Sequence, residues 1–193
     1  GRTTELHYTE VDEVGADACA LVSLTDGENP SVAYCGVAFV LGGNSPDFAF
    51  SSLVRGCMGY SLLAHEFGHN IGLLHAVGDS ATGDGPPCDP WDPAWVGCCA
   101  PGESPEINED ERAYQHGWRW VGSTTFCFKT VMAYSPGSTI LHYSNPEVIY
   151  DGVATGSPQE SDDNRVANNA RRVSETMPGT AAYRCAVPEQ TGA

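Results

Sequence analysis

The chain has 193 residues, enough for one domain to bury a core without metal or disulfide support. Its formal net charge of -16 repels nucleic acid and anionic membranes, so neither is an expected partner. Lys129 is the single lysine among nine basic residues, and a solvated acidic surface is the plain reading of the rest. In chain order, residues 3–14 (TTELHYTEVDEV) predict a short amphipathic helix capped by Thr4, with Leu6, Val11 and Val14 on its apolar side. Residues 16–24 (ADACALVSL) predict a buried strand, closed by the turn cluster TDGENP. Residues 32–41 (VAYCGVAFVL) are apolar at nearly every position and predict a strand covered on both faces. A further strand is expected over residues 48–54.

Residues 65–75 then read HEFGHNIGLLH. On a helix, positions four apart share a face roughly 6 Å apart along the axis, so His65 and His69 can grip one metal ion from the same side. Glu66, one residue round, reaches a water on that ion without being a ligand. Gly72 has no Cβ, so it can turn left-handed and end the helix. His75 then swings in as a third ligand. Three histidines with a fourth position open to water suit a catalytic zinc. The apolar residues Leu62, Leu63, Phe67 and Ile71 are expected to face the sheet. A bare HExxH occurs by chance in many helices, but the full string fixes five positions. It is the metzincin signature, and VMAYS at 131–135, with Met132, supplies the methionine turn that should follow it.

Residues 76–102 are rich in Gly, Pro, Asp and Cys and predict loop. Asp79, Asp84, Asp89 and Asp92 could furnish calcium oxygens, yet their spacing matches no calcium loop, and solvated turn residues are the favoured reading. Residues 104–115 predict a short helix. Tyr114, Trp118, Trp120, Phe126 and Phe128 predict a second core, with His116 structural. Residues 162–177 predict a helix, with Val166, Ala170, Val173 and Met177 on one stripe and Pro178-Gly179 ending it. The eight cysteines allow 105 full pairings and point to an oxidising compartment. No apolar run approaches about 18 residues and no leader pattern opens the chain, so a mature secreted product is expected.

The chain resembles the metzincin zinc endopeptidases on their reprolysin-like (adamalysin-like) side, near bacterial peptidyl-Asp metalloendopeptidases. The resemblance runs from about Gly15 onward. It rests on GADACALVSL, CGVAFVL, HEFGHNIGLLH, YQHGW, TVMAY, YSNPEVIYDGVATG and DNRVANNA. It implies a mixed α+β fold in one domain, 1–193. Residues 1–75 would form an upper subdomain with a twisted, mostly parallel sheet and helices. Residues 76–193 would form an irregular, disulfide-held lower subdomain ending in a C-terminal helix. Gly36, Val37, Ala38 and Phe39 would belong to an edge strand that pairs with substrate. Met132 would underlie the zinc without binding it, and Tyr134, two residues on, would approach the metal. Cys35 and Cys57 would then lie side by side beside the cleft and pair. Ala76 departs from the Asp usual in reprolysin-like proteins.

The implied function is that of a secreted, monomeric endopeptidase acting on proteins or peptides. A zinc-activated water would attack, with Glu66 as general base and then acid. Calcium is without support. The alternatives are a catalytically silent zinc-containing binding module, which would typically have lost Glu66 or a ligand, and a toxin-like secreted protein.

Overall fold

The computed structural model describes residues 16–23, 34–40, 45–59, 61–76, 79, 114–157 and 167–184. The helix expected at 3–14, residues 104–113 of the one expected at 104–115, and most of the loop at 76–102 lie outside the described residues.

Three strands form the first sheet: β1 (Cys19–Ser23), β2 (Gly36–Ala38) and β3 (Phe50–Val54), in the order β1-β3-β2. β1 runs parallel to the central β3, with Cys19 opposite Phe50, while β2 runs antiparallel, with Gly36 opposite Leu53. The sheet is therefore mixed rather than mostly parallel among the described residues. The short connection from β2 to β3, which includes a 3-10 turn at Pro46–Phe48, lets the chain double back beside itself. Among the described residues of the run at 32–41, three are strand, and β2 is not covered on both faces: Val37 is 55% exposed. Among the described residues β3 is its one strand neighbour.

Helix α1 (Leu62–Asn70) packs against β2 and β3, and buried Ser51 and Leu53 lie on β3. The Asn70 amide donates to the carbonyls of Phe39 and Phe50, at 3.1 and 3.2 Å, pinning the helix end to the sheet. A disulfide joins Cys35 to Cys57 across a Cα separation of 5.4 Å, as expected. Cys127 is also disulfide-bonded, whereas Cys19 is a free thiol.

The main core lies on the far side of α1. Ile71, Leu73, Val131 and Met132 are buried together, with Ala64, Phe67, Tyr143, Val173 and Met177 packed around them. Ile71 thus belongs to the core at the methionine turn and the last helix rather than facing the sheet, whereas Leu63, half exposed, and Phe67 line a pocket with Cys19, Ala20 and Ser51 of the sheet. A second small sheet contains β4 (Arg119–Val121), β5 (Cys127–Lys129) and β6 (Ser138–Thr139), followed by the hairpin β7 (Asn145–Tyr150) and β8 (Val153–Thr155). Trp120, Phe128 and Tyr150 cluster with ring centroids 5.1–6.4 Å apart. Phe126 does not join them: it sits in the β4–β5 turn, exposed.

Helix α2 spans Asn169–Thr180. Asn168 caps it, its Oδ1 accepting the Arg171 N–H at 3.0 Å, so it starts later than 162. It also runs through Pro178 and Gly179. A proline in the last turn costs one backbone bond, while Ala181 N–H still reaches Met177 O at 2.8 Å. Buried Thr176 donates to Ile71 O at 2.7 Å, tying α2 to the end of α1.

Candidate metal centre

The end of α1 sets the geometry. Gly72 has φ +89°, and Leu73 N–H bonds to Gly68 O while Gly72 N–H bonds to His69 O, both at 2.9 Å. This six-to-one, five-to-two pair closes a helix with its glycine left-handed. The chain then reverses and carries His75 back over the helix. Its segment is held by Leu74 N–H to Gln115 O at 2.8 Å and Gly117 N–H to Leu74 O at 3.0 Å. The His116 imidazole Nδ1 completes the brace on the His75 carbonyl at 2.8 Å.

The three imidazoles meet at their Nε2 atoms. His75 Nε2 lies 3.1 Å from His65 Nε2 and 2.9 Å from His69 Nε2. His65 Nδ1 donates to Val131 O at 2.8 Å, and His69 Nδ1 donates to Leu73 O at 2.9 Å. With those protons on Nδ1, the Nε2 lone pairs of both rings face inward, the tautomer a metal ligand requires. Burial, and for His69 and His75 the neighbouring imidazoles, holds all three below the ordinary histidine value, His69 at about 4 and His75 at about 3. Three neutral nitrogen donors converging in a largely buried pocket fit a borderline-soft divalent cation and leave it an open side. Among the described residues this is the group of His, Cys, Asp and Glu able to share a metal; His116 is not part of it.

Glu66 is buried beside the cluster, and burial pushes its carboxyl up to about 7. Gly36 on β2 lies directly behind it: a Cβ at Gly36 would overlap the Glu66 carboxylate. Met132 is fully buried below, its side chain against Gly68 of α1. The Tyr134 ring sits over His75, with centroids 4.2 Å apart, and stacks near His65 at 5.6 Å. Burial first, then the nearby Glu66 and Asp79, pushes its phenol up to about 12, so it stays a donor at neutral pH. A cleft of about 430 Å³ opens here, lined by Gly36, Leu62, His65, Glu66, Lys129 and Tyr134 among others. Val37, Ala38 and Phe39 do not line it. Phe39 lies just past β2 and packs on Phe48 and Phe50 at 5.3 Å.

Two features were not foreseen. Asp79 is neither a calcium oxygen nor a solvated turn residue: with Arg119 it forms a fully buried ion pair that holds both sides of the Tyr134 peptide. Lys129 also enters the cleft. Only the singularity of that lysine in an acidic chain could have drawn attention to it.

Residues 1–76 match a family described as metallo-peptidase family M12B, reprolysin-like. Among characterised relatives, a peptidyl-Asp metalloendopeptidase of Stenotrophomonas maltophilia is 29% identical over 72% of this chain and 28% of its own. The counterpart from a second strain is 30% identical over 73% of this chain, again 28% of its own. One from Xanthomonas campestris pv. campestris is 34% identical over 72% of this chain and 27% of its own. The chain thus spans little more than a quarter of the length of these relatives. A solved structure described as a chaperone-substrate complex shares the fold at a TM-score of 0.53 and 15% identity, over 93% of this chain and 22% of that one.

Proposed function

Because the chain is similar to reprolysin-like M12B metallopeptidases over residues 1–76 and to peptidyl-Asp metalloendopeptidases over nearly three quarters of its length, we propose that it is a zinc-dependent endopeptidase. The observation that carries the proposal is the convergence of the His65, His69 and His75 Nε2 atoms beside a buried Glu66. The three imidazoles would hold the metal, and a bound zinc ion supplies Lewis acidity to water and to a substrate carbonyl.

The chain's own residues do the rest. Glu66, with a carboxyl near neutrality, takes a proton from the attacking water and returns it to the leaving amine. Gly36 leaves that carboxylate room to turn. The neutral Tyr134 phenol donates to the oxyanion that develops in the cleft. Substrate lies extended along the edge beginning at Gly36, with Val37, Ala38 and Phe39 continuing it, because among the described residues β2 pairs with β3 alone. The first sheet with α1 acts as an upper part of one catalytic domain, and the segments from 76 onward as its lower part. The relatives' name specifies aspartate, and we extend it to this chain: the bonds cleaved adjoin aspartate in protein substrates. The Cys35–Cys57 disulfide supports an oxidising, extracellular site of action for a monomer.

The test is hydrolysis of a mixed peptide library by the parent and by Glu66→Gln. The variant keeps its zinc and loses about 10²- to 10⁴-fold in turnover. Activity within about tenfold of the parent would remove Glu66 from the role.

A further inference from the structure

We infer that Lys129 is the specificity-determining residue of the cleft, pairing with the carboxylate side chain of the substrate residue that flanks the cleaved bond. The inference rests on the peptidase reading and names the group that would give it an acidic preference.

Lys129 ends β5 and leads directly into the methionine turn, and it lines the same cleft as His65, Glu66 and Tyr134. An ammonium has three N–H donors. One goes to Ala133 O at 2.9 Å, and among the described residues no carboxylate pairs with the others. Burial holds the Lys129 pKa below the ordinary lysine value, and Asp79 works against that from nearby, but the Asp79 Oδ1 is held by Arg119 and its Oδ2 by the Tyr134 N–H.

The other described cations at ion pairs are committed elsewhere: Arg119 to Asp79, and Arg171 and Arg172 to Glu175. Lys129 is thus a half-buried positive charge with donors to spare, opening on a cleft in a protein of net charge -16. Long-range repulsion by that surface disfavours acidic peptides, so an acidic preference needs a local cation at the point of contact. The same cleft is lined by the apolar Leu62, Val131 and Ala133, which leaves Lys129 as its cation.

The experiment compares two fluorogenic peptides that differ only in Asp or Asn beside the bond the parent cleaves. The expected parent preference for Asp is roughly ten- to a hundredfold in kcat/KM, the scale of a hydrogen bond to a charged group. Lys129→Met brings the ratio close to one, with the Asn peptide turned over within about threefold of the parent. Lys129→Arg retains most of the preference. A Lys129→Met enzyme that keeps the parent's ratio, or loses both peptides equally, overturns the inference while leaving the peptidase reading intact. A parent that cleaves efficiently without preferring Asp overturns it too. A parent that cleaves neither these peptides nor a mixed library defeats the peptidase reading itself.

Discussion

The carboxylate of Asp79 accepts the backbone N–H of Tyr134 through Oδ2 at 2.8 Å, across 55 residues of chain. Its other oxygen pairs with Arg119, whose Nη1 also donates to Tyr134 O at 3.3 Å. Both charged side chains are fully buried. One ion pair therefore fixes both ends of the tyrosine that overlies His75.

Asp79→Ala removes the carboxylate that Arg119 pairs with in the interior, a change that costs about 3–5 kcal/mol. At roughly 2–4 °C per kcal/mol for a chain of this size, Tm falls by about 6–20 °C. A melting temperature unchanged within about 2 °C would mean that the pair does not organise the turn.

Tyr134→Phe keeps the ring over His75 and removes only the hydroxyl. As an oxyanion donor, Tyr134 predicts a fall in kcat with KM little altered, on the scale of about 2.7–4 kcal/mol in the barrier. Steady-state kinetics on one peptide decides it. A kcat within about a factor of two of the parent would leave the tyrosine a packing residue.

Much of the centre was legible because a helix has a fixed period. His65 and His69 share a face by arithmetic, and Gly72 takes the positive φ its position asked for. The β1 and β3 segments were legible as strands, but β1 is not the buried strand expected: Leu21 and Val22 are 53% and 40% exposed. The Cys35–Cys57 pair was legible from its expected adjacency to the cleft. What escaped has a common cause. Asp79 meets Arg119 across 40 residues, and His116 reaches the His75 carbonyl across 41, and neither pairing has a local pattern to read. Phe126 resembled its aromatic neighbours in composition but falls at a turn tip, where alternation no longer dictates burial. The start of α2 was missed because Asn168, a good cap, lies inside a run that is helix-like on both sides.

The metal-free protein should weaken in acid. His65, His69, His75 and His116 all have folded-state pKa values lowered by burial from the ordinary 6.5. Through these four imidazoles the unfolded chain binds more protons than the folded one as pH falls through 6.5, so their contribution is fully present above that value and declines below it. Glu66, raised to about 7, acts in the opposite sense as one group against four. The Tm of chelator-treated protein should drop between about pH 7.5 and about pH 5, and the slope should flatten in His69→Phe. Equal Tm values at the two pH values would contradict the burial of neutral imidazoles.

The central claim is that His65, His69 and His75 together hold one zinc ion, and elemental analysis of purified protein measures it directly. The parent should carry about one zinc per chain, and His69→Ala, lacking one of the three converging Nε2 donors, should carry close to none after dialysis. Full zinc retention by folded His69→Ala would contradict the assignment, as would a parent that binds no zinc when supplied with it.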